Sequence, residues 1–167
     1  MIMESSAKSV TFQVDHLKME RGIYVPLCEK VGGVPVFTYD IRVKKPYADV
    51  PMTESQAHTV EHMLATGLRQ LNVPGIQVIY FGPMGCMTGF YLLLAGEITS
   101  VQAASFIRQG VENALAMPEV PANNKTQCGN CLTLGTVDEV REILNTILSF
   151  CKDAEETGDF SKYIYLD

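Results

Sequence analysis

Thr53-Glu54-Ser55-Gln56-Ala57-His58-Thr59-Val60-Glu61-His62-Met63-Leu64-Ala65 decides how the rest of the chain is read. Thr53 or Ser55 can cap a helix here, and Asn72 and Pro74 stop it near Leu71. Val60, Leu64, Leu68 and Leu71 recur at helical spacing as an apolar stripe, with His58, Glu61, His62, Ala65 and Arg69 on the neighbouring one. Four residues make just over one turn, so both imidazoles lie on one face, bordering the buried stripe, and can converge on a single metal ion. Glu61 lies on the same side as His58, where a carboxylate can move protons while a metal polarises oxygen. The plainer reading of the pair is two partly buried polar side chains satisfied by hydrogen bonds.

The 167 residues read as one domain spanning 1–167, and 47% apolar against 19% charged residues fits a soluble globular protein. A net charge of −6, with no basic cluster beyond Lys44-Lys45, argues against nucleic acid as a partner. The longest apolar run, Phe90 to Ala95, is far short of a membrane span, and Met1 to Val10 has no apolar signal core. A cytoplasmic protein is expected. Five cysteines (Cys28, Cys86, Cys128, Cys131, Cys151) are then free thiols, metal ligands or catalytic groups rather than a disulfide framework.

Outward from the helix, Val10 to Val14 alternates apolar and polar and reads as a short strand ending at Asp15-His16. Gly22 to Val31 is mixed in character, Gly32-Gly33 marks a turn, and Val34 to Val43 reads as a strand ending near Arg42. Ile76 to Phe81 predicts another strand, Gly82-Pro83-Met84-Gly85 a bend that delivers Cys86, and Thr88 to Ala95 a central strand. Glycines flanking the bend let the backbone at Cys86 approach another group closely, although a small buried thiol is the plainer reading. Thr99 to Gln102 opens a second helix to about Ala116, with Val101, Ala104, Val111 and Leu115 inward. Thr136 to Glu139 opens a third, repeating apolar residues at Val137, Val140, Leu144, Ile147 and Cys151. The aromatic end, Tyr163-Ile164-Tyr165-Leu166, is expected to fold back on the body or pack on a second subunit.

A catalytic metal usually keeps three protein ligands and one open position, so His58 and His62 need a third partner. Cys128 or Cys131, in Cys128-Gly129-Asn130-Cys131, is the natural supplier, since thiolate suits zinc or ferrous iron. Both cysteines together would instead close a structural zinc site and block catalysis.

His58-Thr59-Val60-Glu61-His62, Gly82 to Tyr91 and Gln127-Cys128-Gly129, in that order, resemble the S-ribosylhomocysteine lyase (LuxS) family. Val14-Asp15-His16 and Tyr39-Asp40-Ile41-Arg42 fit the same pattern, so the resemblance runs from about Thr11 to the Cys151 helix. It implies an α+β homodimer, each subunit a largely antiparallel sheet with helices packed against it, with active sites at the dimer interface. It further implies one divalent metal per subunit, natively Fe(2+) and replaceable by Zn(2+) or Co(2+), held by His58, His62 and Cys128. Cys86 and Glu61 would be catalytic; Arg42, His16 and Thr11 would line the substrate pocket, the last two being those a partner subunit could supply. The implied reaction cleaves S-ribosylhomocysteine to homocysteine and 4,5-dihydroxy-2,3-pentanedione, precursor of the autoinducer signal of quorum sensing.

The chain departs from the family pattern in three places. Tyr80-Phe81-Gly82 stands where the family has Asp-Ile-Ser, Val43-Lys44 where it tends to have Phe-Cys, and Cys131 is extra. An acidic group at the first of these suits a substrate ammonium, so another thioether-linked sugar is the neighbouring expectation. HxxEH also occurs in inverted zinc peptidases, where Glu139 or Glu142 would be the third ligand, but Cys86 and Cys128 then have no role. A non-catalytic metal-binding relative is the remaining alternative.

Overall fold

Gly32 and Gly33 both adopt positive φ, 57° and 86°, the backbone that a tight two-residue hairpin turn requires. They close β1 (Gly22–Val31) antiparallel onto β2 (Val34–Arg42). A second hairpin joins β3 (Gln77–Pro83) to β4 (Gly89–Ala95), and β4 then pairs antiparallel with β2. The computed structural model describes residues 9–166, in which the four strands form one sheet in the order β1-β2-β4-β3. The opening segment read as lacking a signal core lies largely outside the described residues, which begin at Ser9.

Three helices cover one face of the sheet: α1 (Glu54–Arg69), α2 (Ser100–Leu115) and α3 (Val137–Thr157). Each starts at a capping box, Thr53 with Gln56, Thr99 with Gln102 and Thr136 with Glu139, which satisfies backbone donors the first turn leaves open. Ile41, Phe81, Phe90, Leu92 and Leu94 point to the helices and join Val60, Leu64, Leu68, Ile107, Leu144 and Ile147 in the core. Strand alternation sends Thr38, Asp40, Arg42 and Tyr91 to the opposite face. The architecture is thus α+β, an antiparallel sheet backed by helices, as the resemblance implies. No helix among the described residues is long and apolar enough to cross a membrane.

Several elements differ from the sequence reading. Val10–Gln13 is a short 3-10 helix, and only Val14 makes a bridge, antiparallel to Tyr165. Alternation alone does not make a strand where no neighbour offers a ladder. Gly22–Val31, unassigned from sequence, is a ten-residue edge strand. Pro26 and the register shift between Tyr24 and Leu27 break its alternation, which only an edge tolerates. Val101 is 44% exposed on α2 instead of inward. The third helix runs past Cys151 to Thr157 and ends at Gly158, φ 78°, a left-handed cap.

Beyond Gly158 the chain turns back on its own body. Phe160 packs edge-on against Tyr39, and the Ser161 N–H donates to the Ile23 carbonyl at 2.8 Å. The N–H groups of Asp15 and Leu166 donate to Ile164 and Gln13 carbonyls, so the two terminal segments hold one another.

Helices α1 and α2 meet at backbone distance. A Cβ on Gly67 would sit 2.3 Å from the Gly110 carbonyl oxygen, and Asn113 Nδ2 donates to the Gly67 carbonyl at 3.2 Å. Gly67→Ala therefore forces the helices apart. The clash outweighs the ~1 kcal/mol of helix propensity that alanine gains, for a net loss of about 2 kcal/mol. Thermal unfolding should fall by roughly 4–8 °C.

Candidate metal centre and thiol site

The capping box at Thr53 fixes where α1 begins, and so the height at which His58 and His62 emerge from it. Their rings lie 4.7 Å apart and nearly perpendicular. Thr59 between them is fully buried, its hydroxyl accepting from the Gly135 N–H at 2.8 Å. That bond ties the helix to the segment carrying Cys128 and Cys131. Asn124 shapes the approach to that segment: its side-chain oxygen accepts from the Thr126 and Gln127 N–H groups, and its carbonyl accepts from the Cys128 N–H.

One potential ligand atom from each of His58, His62 and Cys128 falls within 4.8 Å of the others, the only His, Cys, Asp or Glu group of this kind among the described residues. His58 Nε2 stands 3.5 Å from Cys128 Sγ. Tetrahedral ligands at ordinary zinc distances are separated by about 3.5 Å, so the spacing suits one shared ion.

The hydrogen bonds decide which ring nitrogens are free. His62 Nδ1 lies 2.8 Å from the Pro121 carbonyl, which can only accept, so Nδ1 carries the proton. His58 Nδ1 lies 2.7 Å from the Thr133 hydroxyl, which donates its own hydrogen to the Asn130 carbonyl at 3.0 Å and must accept from the ring. Both Nε2 atoms thus present bare lone pairs. An outer acceptor on Nδ1 is the arrangement that orients metal-binding imidazoles and raises their basicity. Sequence reading missed Thr133 and Pro121, which lie 75 and 59 residues from their histidines.

Cys131 opens a 3-10 helix (Cys131–Thr133) and stays out of the group. Glu139, offered as a peptidase ligand, uses its carboxylate on the Thr136 N–H, and Glu142 does not join the group either. Glu61 is half-buried on α1, without a protein hydrogen-bond partner among the described residues.

Cys86 occupies the turn between β3 and β4. The Met87 carbonyl accepts from the Met52 N–H at 2.8 Å, joining this turn to the residue before the α1 cap. Thr88 Oγ1 lies 3.1 Å from the thiol sulfur and accepts from Arg42 Nη1 at 2.6 Å, which leaves its own hydrogen free to donate to sulfur in the thiolate form. Arg42 Nη1 also stands 3.6 Å from Cys86 Sγ. Partial burial pushes the thiol pKa up, but the Thr88 hydrogen bonds and the Arg42 charge outweigh it, and the net direction is down. Arg42 itself, 2% exposed, is held by Asp40, 0% exposed, through Nε at 3.1 Å and Nη2 at 2.7 Å.

Of the expected pocket residues, Arg42 stands against the thiol and Thr11 hydrogen-bonds Tyr91 beside it. His16 Nδ1 donates instead to the Val14 carbonyl at 2.9 Å, and no bond among the described residues brings it to Cys86 or the metal ligands. At the departure from the family pattern, the Tyr80 hydroxyl lies 2.0 Å from where a Cβ on Gly82 would be. The phenol fills the space a serine there would need.

Known proteins are similar to this chain over most of its length. A model of the family described as S-Ribosylhomocysteinase (LuxS) matches residues 10–157. The S-ribosylhomocysteine lyase of Clostridium acetobutylicum is 38% identical over 128 residues, 76% of this chain and 81% of the relative. The lyase of that name from Porphyromonas gingivalis is 36% identical over 126 residues, 75% and 79% of the two chains. That of Phocaeicola vulgatus is 37% identical over 123 residues, 73% and 76%.

Replacing the outer acceptor tests the ligand set. Thr133→Val keeps shape but strands the His58 Nδ1–H, and metal affinity measured by competition with a chelator should fall about tenfold. His58→Ala should abolish stoichiometric binding.

Proposed function

The chain belongs to the S-ribosylhomocysteinase (LuxS) family, and from that premise we propose that it cleaves S-ribosylhomocysteine to homocysteine and 4,5-dihydroxy-2,3-pentanedione. The observation that carries this reading is the meeting of two bare imidazole nitrogens and the Cys128 sulfur, on a scaffold that also holds a Cys86 thiol with lowered pKa. His58, His62 and Cys128 would hold a divalent ion, Fe(2+) foremost with Zn(2+) or Co(2+) as substitutes. Bound there, it supplies a Lewis acid for sugar oxygens.

The remaining chemistry falls to the chain's own groups. Moving a carbonyl along the ribose requires a proton to leave the carbon beside C=O and return to the former carbonyl carbon, while the hydroxyl proton of the first passes to the old carbonyl oxygen. Cys86 suits that task as a thiolate, because Thr88 and Arg42 favour its charged form. Glu61, half-buried and without a protein partner among the described residues, carries protons between neighbouring sugar oxygens. In the final step a proton leaves the carbon next to the carbonyl and the C–S bond breaks. Its electron pair departs with sulfur, and the homocysteine thiolate takes up a proton. Arg42 and Thr11 would line the pocket, with His16 reaching it from a second subunit. A homodimer accords with the exposed Phe12 and Leu17 on the segment that carries Thr11 and His16.

A second reading, the same chemistry on a different thioether-linked sugar, is favoured by one observation: Tyr80 covers Gly82 where the family pattern has an acid and a hydroxyl.

Metal-loaded protein given S-ribosylhomocysteine should release free thiol; no homocysteine at any metal loading overturns this substrate. Cys86→Ala and Glu61→Gln should each lower kcat by about 10²–10⁴-fold with metal content unchanged. If the altered shell reflects another substrate, Tyr80→Asp with Gly82→Ser should raise kcat/KM for S-ribosylhomocysteine.

A further inference from the structure

The family match ends at residue 157, yet the next residues reach the surroundings of the thiol. Tyr163 stacks its ring on Tyr24, centroids 4.7 Å apart and 5° from parallel, and its hydroxyl donates to Asp40 Oδ2. The same carboxylate grips Arg42 through Nε and Nη2, which leaves Nη1 as the guanidinium nitrogen turned to Thr88 and Cys86. We infer that Tyr163 is a positioning residue for Cys86: its phenol fixes the Asp40 carboxylate, Asp40 fixes the Arg42 plane, and Arg42 Nη1 stands against the sulfur.

The groups around this chain come from every neighbouring element. Asp40 and Arg42 belong to β2, Tyr91 to β4, Tyr24 to β1, Thr11 to the N-terminal segment and Tyr163 to the C-terminal one. Arg42 is the cation at their centre and Asp40 the carboxylate it grips; Glu20, before β1, acts on Tyr24 from the far side and is paired with Lys45. By sharing the charge of Asp40, the phenol leaves more of the Arg42 charge for sulfur. Burial pushes the Tyr163 pKa up and Asp40 adds to this, so the phenol remains a donor across the working pH range.

This inference rests on Cys86 being the proton carrier of the reaction proposed above, but its test needs no substrate. The rate of iodoacetamide alkylation of the Cys86 peptide, read by mass spectrometry against pH on metal-loaded full-length protein, reports the thiol directly. Tyr163→Phe keeps the ring stack and deletes only the donor. It should move the midpoint up by ~0.5 pH unit, slow alkylation about threefold below it, and lower kcat with KM nearly unchanged. Tyr165→Phe, on the same segment with its ring centroid 6.1 Å from that of Tyr163, should leave the profile in place. Should Tyr163→Phe fail to fold, 3-fluorotyrosine at position 163, a stronger donor of the same shape, should move the midpoint down. Profiles that superimpose on wild type, or an equal shift in Tyr165→Phe, overturn the inference. A shifted thiol in a protein that releases no homocysteine would instead remove the substrate reading and leave this one standing.

Discussion

Where Gly67 faces Gly110, the backbones of α1 and α2 touch, and this contact limits how far α1 can slide or rotate. Its first turn is pinned by the Thr53 capping box and its middle by the Thr59 bond to Gly135. A helix rises 1.5 Å per residue, so a slip of one residue would carry both imidazoles out of reach of Cys128. Precision at the metal centre is therefore a property of helix packing, whereas the sulfur is delivered by a loop shaped around Asn124.

The thiol site solves a different problem. Asp40 and Arg42 are both buried, and taking two charges out of water costs several kcal/mol each unless nearly every donor and acceptor is engaged. Here the pairing is two-pronged, and Thr88 and Tyr163 take further valences. No buried side-chain nitrogen or oxygen among the described residues lacks a partner. Such a network tolerates few geometries. The return is a guanidinium whose remaining nitrogen is aimed at Cys86.

Much of this was legible in the chain. Capping boxes at Thr99 and Thr136, the stop at Pro74, and the apolar runs of β2 and β4 are local patterns, and local patterns survive folding. The HxxEH spacing likewise foretold two imidazoles on one face. What escaped had non-local causes. β1 was hidden by Pro26 and a register shift that matter only at a sheet edge, and Val10–Gln13 alternates without a strand to pair with. Nothing near His58 or His62 announces Thr133 and Pro121, because those partners arrive through tertiary structure. Both Cys128 and Cys131 satisfied the sequence criterion for a third ligand; the 3-10 turn beginning at Cys131 separates them.

The doubling back of residues 158–166 bears on how the molecule is made. A ribosome that has polymerised His58, Cys86 and Cys128 still has 35 codons to read before Tyr163 exists, and that residue must then travel across the chain to a carboxylate 123 positions earlier. The nascent protein can therefore own its full chemical inventory before its thiol is tuned.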